Sequence, residues 1–198
     1  MSMLGIALLN EQLGKSRIDK PGAILGQLRS KVKEMLVQQG NIRDQKDGMD
    51  MAIAIFDKEK KELQFAGANN PLYLIRQKDR LSGNEPDLAA SLENKDSLLF
   101  ELKGDKQPIG VYWEESDFTN QILPLQPDDT IYIFTDGFVD QYGGEMRKKF
   151  KSARFKQLLL SVQAKTMEKQ KQEIEKSFES WRGNVEQIDD VCVIGVRI

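Results

Sequence analysis

The sequence predicts an α+β fold built from antiparallel sheets and helices, and three observations carry that prediction. Apolar residues recur at helical spacing in two opening segments. They then alternate at period two through a series of short runs separated by turn residues, and return to helical spacing before a final strand. Sheet layers covered by helices are the architecture that buries all of these faces.

Residues 1–13 read as a helix, with Met3, Ile6, Leu9 and Leu13 close to a 3.6-residue repeat. Asp19 and Pro21 supply helix-start chemistry, Ile24, Leu28, Val32, Met35 and Leu36 form an apolar stripe, and Gly40 is a stop signal. The two helices are expected to pack together against something flat. Over 49–56 the side chains of Met49, Met51, Ile53 and Ile55 share one strand face, Asp57-Lys58-Glu59-Lys60 is a turn, and Leu63 to Ala68 is the return strand. Asn69-Asn70-Pro71 breaks it before another strand, Leu72 to Arg76.

Residues 77–97, with Gly83, Asn84 and Pro86, read as a surface loop and not as a domain linker, so 1–198 is taken as a single domain. Short strands follow near 98–102, 108–112 and 118–125. Pro127-Asp128-Asp129 is a turn before the strongest strand, Thr130 to Thr135. A loop through Gly143-Gly144 leads to helices over 152–163, carrying Phe155, Leu158, Leu159 and Val162, and over 167–181. In the second, the charged stretch Lys165 to Lys176 is an exposed face with Met167 and Ile174 turned inward. Val191 to Ile198 is the last strand. Trp113 and Trp181 read as packing residues.

Composition removes several function classes. Hydrophobic residues at 39% and charged residues at 30% describe a globular protein, and a formal charge of −2 without a basic stripe argues against nucleic acid as partner. Histidine is absent, which excludes a histidine base, a Ser–His triad and His-ligated zinc. The one cysteine, Cys192, allows no internal disulfide, suits a reducing compartment, and reads as a buried strand residue within Val191-Cys192-Val193-Ile194. No apolar run is long enough to cross a bilayer. The opening Met1 to Leu9 lacks a basic flank, and Asn10-Glu11-Gln12 stands where a cleavage site belongs, so a cytoplasmic location is expected.

Any hydrolytic chemistry therefore rests on carboxylates, water and a hard cation. Asp136 follows the strand Ile131-Tyr132-Ile133-Phe134-Thr135, and Asp189 precedes Val191-Cys192-Val193-Ile194. If those strands pair antiparallel, the end of one and the start of the other share a sheet edge, beside a flexible Gly137 turn. Such a cluster suits Mg²⁺ or Mn²⁺. Taken alone, Asp-Gly also reads as a plain turn, and Asp189-Asp190 as a solvated strand boundary.

Four motifs in order carry a resemblance. Ile131 to Asp140 resembles a strand followed by T/S-D-G, two residues and D/E. Ile188-Asp189-Asp190-Val191 resembles a closing D-D-(I/V)-T, with Cys192 where threonine is usual. Ala66-Gly67-Ala68-Asn69-Asn70-Pro71-Leu72 is similar to A-G-H-N-P-P-L, with Ala68 for the histidine and Asn70 for the first proline, and Pro108-Ile109-Gly110 matches P-L-G. Together they resemble the SpoIIE-type branch of the PPM (PP2C-like) metal-dependent protein serine/threonine phosphatases. That resemblance implies an α-β-β-α sandwich with a binuclear Mn²⁺ or Mg²⁺ site at one edge. Asp136, Gly137 and Asp189 would stand at the metal, Asp190 behind them or as a strand cap, and Asp140 as an acceptor that orders the loop. It implies a metal-bridging water attacking phosphoserine or phosphothreonine, and a phosphoprotein partner of the STAS-type anti-sigma-factor antagonist kind, served by the C-terminal output module of a larger bacterial signalling protein.

The family's first metal motif, which carries a bridging aspartate, precedes its first helix, whereas Met1-Ser2-Met3-Leu4-Gly5 looks like that helix itself. The expectation is a chain without the first strands and with weak or absent metal binding and activity. A phosphoprotein-binding module is the alternative, and a homodimer through an exposed sheet edge a third expectation. Asp47-Gly48-Met49-Asp50 is read as a turn and polar strand start, not a metal loop, and Lys148 and Lys149 as solvated loop charges.

Overall fold

The computed structural model describes residues 2–15, 20–36, 48–81 and 89–198. The chain divides into two compact units, Met1–Leu72 with Leu102–Pro124, and Tyr73–Glu101 with Leu125–Ile198.

The first unit holds helices α1 (Ser2–Lys15) and α2 (Pro21–Met35) and strands β1 (Met51–Asp57), β2 (Glu62–Ala68) and β6 (Gln121–Pro124). β1 pairs antiparallel with β2 from Met51↔Ala68 to Asp57↔Glu62, and β2 pairs antiparallel with β6, giving a sheet ordered β1-β2-β6. Pro21 opens α2, where its missing N–H costs nothing. Leu25, Leu28 and Val32 of α2 are fully buried with Leu8, Ala66, Ala68, Ile109 and Phe118, and Met49, Met51 and Ile53 pack against them. Lys31 and Glu11 link α2 to α1 at 3.2 Å, so the two helices do pack together.

The second unit holds strands β3 (Leu72–Gln77), β4 (Leu92–Glu93), β5 (Ser97–Leu102), β7 (Thr130–Phe134) and β10 (Val193–Arg197). With them are the short helix α3 (Gly137–Asp140), the hairpin β8 (Tyr142–Gly143) and β9 (Lys148–Lys149), and helices α4 (Ser152–Ser161) and α5 (Met167–Arg182). Its five strands run in the order β10-β7-β3-β5-β4. Its core is aromatic: Phe134, Phe138 and Phe178 join Tyr73, Phe150 and Phe155 in offset and edge contacts with ring centroids between 4.6 and 6.3 Å. Arg76 is wholly buried on β3, and its Nε and Nη2 donate to Asp129 at 2.9 and 2.7 Å.

Several expectations meet corrections. The buried side of α1 runs through Gly5 and Leu8, and Ile6 is 61% exposed. A Cβ on Gly5 would lie 2.8 Å from Met49 Sδ, so the absent side chain sets which face turns in. Met35 of the expected α2 stripe is exposed, while Leu25 is fully buried. Residues 108–112 form no strand; Ile109 makes a single bridge to Met49, because Pro108 has no N–H to extend the ladder. The 77–97 segment contains a 3-10 turn at Lys78–Arg80 and the short β4. Trp113 is 78% exposed and meets the Tyr112 ring, whereas Trp181 packs edge-on to Phe150 and donates to the Gln141 carbonyl. The helix signals at Asp19 and Gly40, and Asp47, fall outside the described residues.

Candidate functional site

The site is built on the pairing of β7 with β10. Their antiparallel register, from Val193↔Phe134 to Arg197↔Thr130, brings the end of β7 to the start of β10. The period-two pattern of both strands sets this register: Val193 packs into the aromatic core from the face that also carries Phe134. Asp136 and Asp189 therefore stand beyond the same end of one strand pair.

Thr135 fixes that end. Its amide donates to the Cys192 carbonyl at 3.0 Å. Its Oγ1 donates to the Asp190 carbonyl at 2.8 Å and accepts from the Cys192 amide at 2.9 Å. The next residue but one must be glycine, because a Cβ on Gly137 would lie 2.4 Å from the Asp190 carbonyl oxygen. The α3 turn thus lies directly on the backbone of the Asp189-Asp190 segment. Asp189 Oδ1 accepts from the Asp190 amide at 2.7 Å, and both residues are exposed.

Asp140 closes the α3 turn, its amide donating to the Asp136 carbonyl at 2.9 Å. Its carboxylate accepts from Lys149 Nζ at 2.7 Å, tying the β8–β9 hairpin to the rim. The ion pair gives Lys149 a partner that the sequence did not foresee. The hydrogen bond to Asp140 holds the Lys149 ammonium above its ordinary value, and the charge of Asp136 adds to the effect.

Cys192 is a correction. It is exposed and lies just ahead of β10: Val191 and Val193 face the core, so the residue between them points the other way. Thr135 is the residue that sequence reasoning passed over, although its place in T-D-G was in view; a hydroxyl facing both a carbonyl and an amide across a strand pair is invisible before the register is known.

The other two motifs lie in the first unit. Gly67 and Gly104 pack against the carbonyl of Asn70, where a Cβ on either would lie within 2.1 and 2.7 Å of that oxygen. Asn69 takes a φ of 60° and donates to Asp50 at 2.7 Å, and its amide donates to the Asp105 carbonyl. Asp50, just ahead of β1, thereby accepts from the Asn69 side chain.

Asp136, Asp189 and the carbonyl of Gly137 are hard oxygen donors of the kind Mn²⁺ and Mg²⁺ take. Among the described residues, however, no group of three or more His, Cys, Asp or Glu side chains lies close enough together to hold a metal ion. The described residues alone do not complete a metal site. No helix among the described residues is long and apolar enough to cross a membrane.

This mixed α+β fold of antiparallel sheets and helices matches the folds of PP2C-like phosphatase domains. The SiaA-PP2C domain of Pseudomonas aeruginosa is similar over 99% of this chain and 68% of that chain, with 28% identity and a TM-score of 0.77. The catalytic domain of the serine threonine protein phosphatase PstP, solved with 2 manganese ions, matches at 14% identity over 100% and 80% of the two chains, with a TM-score of 0.56. The phosphatase domain of SpoIIE from Bacillus subtilis (Mn presoaked) matches at 14% identity over 98% and 73%, with a TM-score of 0.51. No curated protein matches the chain. Across residues 1–198 the sequence matches the family described as Stage II sporulation protein E (SpoIIE), and the chain belongs to that family of PP2C-type phosphatase domains.

Proposed function

We propose that this chain is a metal-dependent protein serine/threonine phosphatase domain, using Mn²⁺ or Mg²⁺, that acts on phosphoserine or phosphothreonine of a bacterial signalling protein. A STAS-type anti-sigma-factor antagonist is the proposed substrate, and the output end of a larger cytoplasmic regulator the proposed setting. The observation that carries the reading is the β7–β10 register, which sets Asp136 and Asp189 at one end of a strand pair with Gly137 against Asp190. The metals named for the PstP and SpoIIE structures support the choice of cation.

This chain's own residues have definable tasks. Thr135 and Gly137 hold the two acidic segments in contact, Asp136 and Asp189 offer anionic oxygens to a cation, and Asp140 fixes Lys149 beside them. Among the described residues the rim has too few donors to enclose an ion, so its residues hold and orient and take no catalytic step. That shortfall favours a second reading, a phosphatase-like module that docks a phosphoprotein without turning it over.

Calorimetry with Mn²⁺ on this chain and on Asp136→Ala separates the two. Saturable binding that disappears in the variant supports the phosphatase reading; no binding by the parent chain supports the docking module. Robust Mn²⁺-dependent phosphate release from a phosphoserine peptide would overturn the expectation of weak activity.

A further inference from the structure

Five cations and no acidic residue lie between Arg147 and Arg154, in a chain whose formal charge is −2. Arg147, Lys148, Lys149, Lys151 and Arg154 are all exposed, and the fold holds them in place. Arg147 and Lys151 sit at φ of 45° and 74°, turning the chain sharply on either side of β9. The Phe150 amide donates to the Gln141 carbonyl at 3.0 Å and the Lys151 amide to the Val139 carbonyl at 2.7 Å, which lays the segment along the turn that follows Asp136. Arg154 stacks on Trp181, its Cζ 4.2 Å from the ring centroid. Lys149 bonds Asp140, four residues from Asp136.

A solvated charge run has no reason to be anchored in this way. Here backbone hydrogen bonds, an ion pair and a stacked guanidinium anchor a run of like charges next to an acidic rim. Ordered cations lose little further freedom on meeting an anion, and a positive patch steers negatively charged partners. We propose that the cationic hairpin, Arg147 to Lys149 with Lys151 and Arg154, is a docking surface for an acidic segment flanking the phosphorylated residue of a protein partner. The proposal rests on the phosphatase-family reading of the neighbouring rim and adds to it the charge of the substrate.

The test uses two fluorescein-labelled phosphoserine peptides of equal length, one flanked by Asp and Glu and the other by Lys. Anisotropy reads binding and phosphate release is followed in the same samples. The acidic peptide is expected to bind at least about tenfold more tightly than the Lys-flanked one. R147E/K148E is expected to erase that preference, while K169E/K176E, an equal charge change on exposed α5 positions, keeps it. R147Q/K148Q, and the parent chain in about 0.5 M salt, guard against misfolding of the reversal and are both expected to weaken acidic-peptide binding. Equal affinity for the two peptides, or a preference that survives R147E/K148E, overturns the proposal. Selective binding without phosphate release favours the module that docks a phosphoprotein without turning it over, and leaves the docking surface standing. Equal release from both peptides, unchanged in R147E/K148E, sinks the docking surface alone.

Discussion

A single hydroxyl decides how well the two acidic segments are held together. Thr135 Oγ1 donates to the Asp190 carbonyl and accepts from the Cys192 amide, so Thr135→Val leaves one acceptor and one donor to find water at the rim. At roughly 0.5–1.5 kcal/mol per net hydrogen bond, the variant is expected to lose about 1–3 kcal/mol in urea unfolding, with Thr135→Ser close to the parent. A second residue sets a pH limit. Burial pushes the Tyr132 phenol up to about 12, against the opposing pull of the Gln163 hydrogen bond and of Arg197, and its hydroxyl donates to buried Gln170. The folded state favours the neutral phenol. Its contribution is therefore complete below the ordinary phenol value of 10.0 and is lost as pH rises from there toward about 12. Urea unfolding should show a falling alkaline limb in that window, shallower in Tyr132→Phe; identical limbs in the two proteins would show that Tyr132 does not drive it. At this scale the sequence was least legible. Cys192 looked buried because its neighbours are apolar, and Thr135 looked ordinary, because both roles depend on which atoms the register brings opposite.

Period-two alternation made the strands readable; the antiparallel pairing of β7 and β10 was a condition of the sequence reading, and the observed register sets Phe134 opposite Val193. The misses have local causes. Helical spacing alone could not choose between the faces of α1, where Gly5 admits Met49 and turns Ile6 outward. Pro108 reduced an expected strand to one bridge. The turn at 127–129 was seen as a turn, but its partner was not: Asp129 is buried, accepting from Arg76 twice and from the Gln126 amide at 2.8 Å. Removing that carboxylate strips a guanidinium buried on β3 of two charge-assisted hydrogen bonds. Asp129→Ala is expected to cost about 3–5 kcal/mol, read as a lower urea midpoint. A loss within about 0.5 kcal/mol, the scale of ordinary surface substitutions, would mean that water or another group reaches Arg76.

For the molecule as a whole, four short motifs in order were enough to point to the SpoIIE family, which the match over residues 1–198 bears out. The motifs divide between the units: the Ala66 to Leu72 and Pro108 to Gly110 stretches shape turns in the first, and the acidic rim belongs to the second. The rim's chemistry was legible as two carboxylates; how the acidic groups of the described residues are spaced depends on distances that no motif encodes.

Everything turns on whether the carboxylates of Asp136 and Asp189 serve one ion. The direct measurement is Mn²⁺ affinity by electron paramagnetic resonance on the parent chain, Asp136→Asn, Asp189→Asn and the double variant. If one ion is shared, each single change weakens binding and the double change adds little to either. Affinity untouched by both substitutions, or losses that add as independent terms, would contradict a common site.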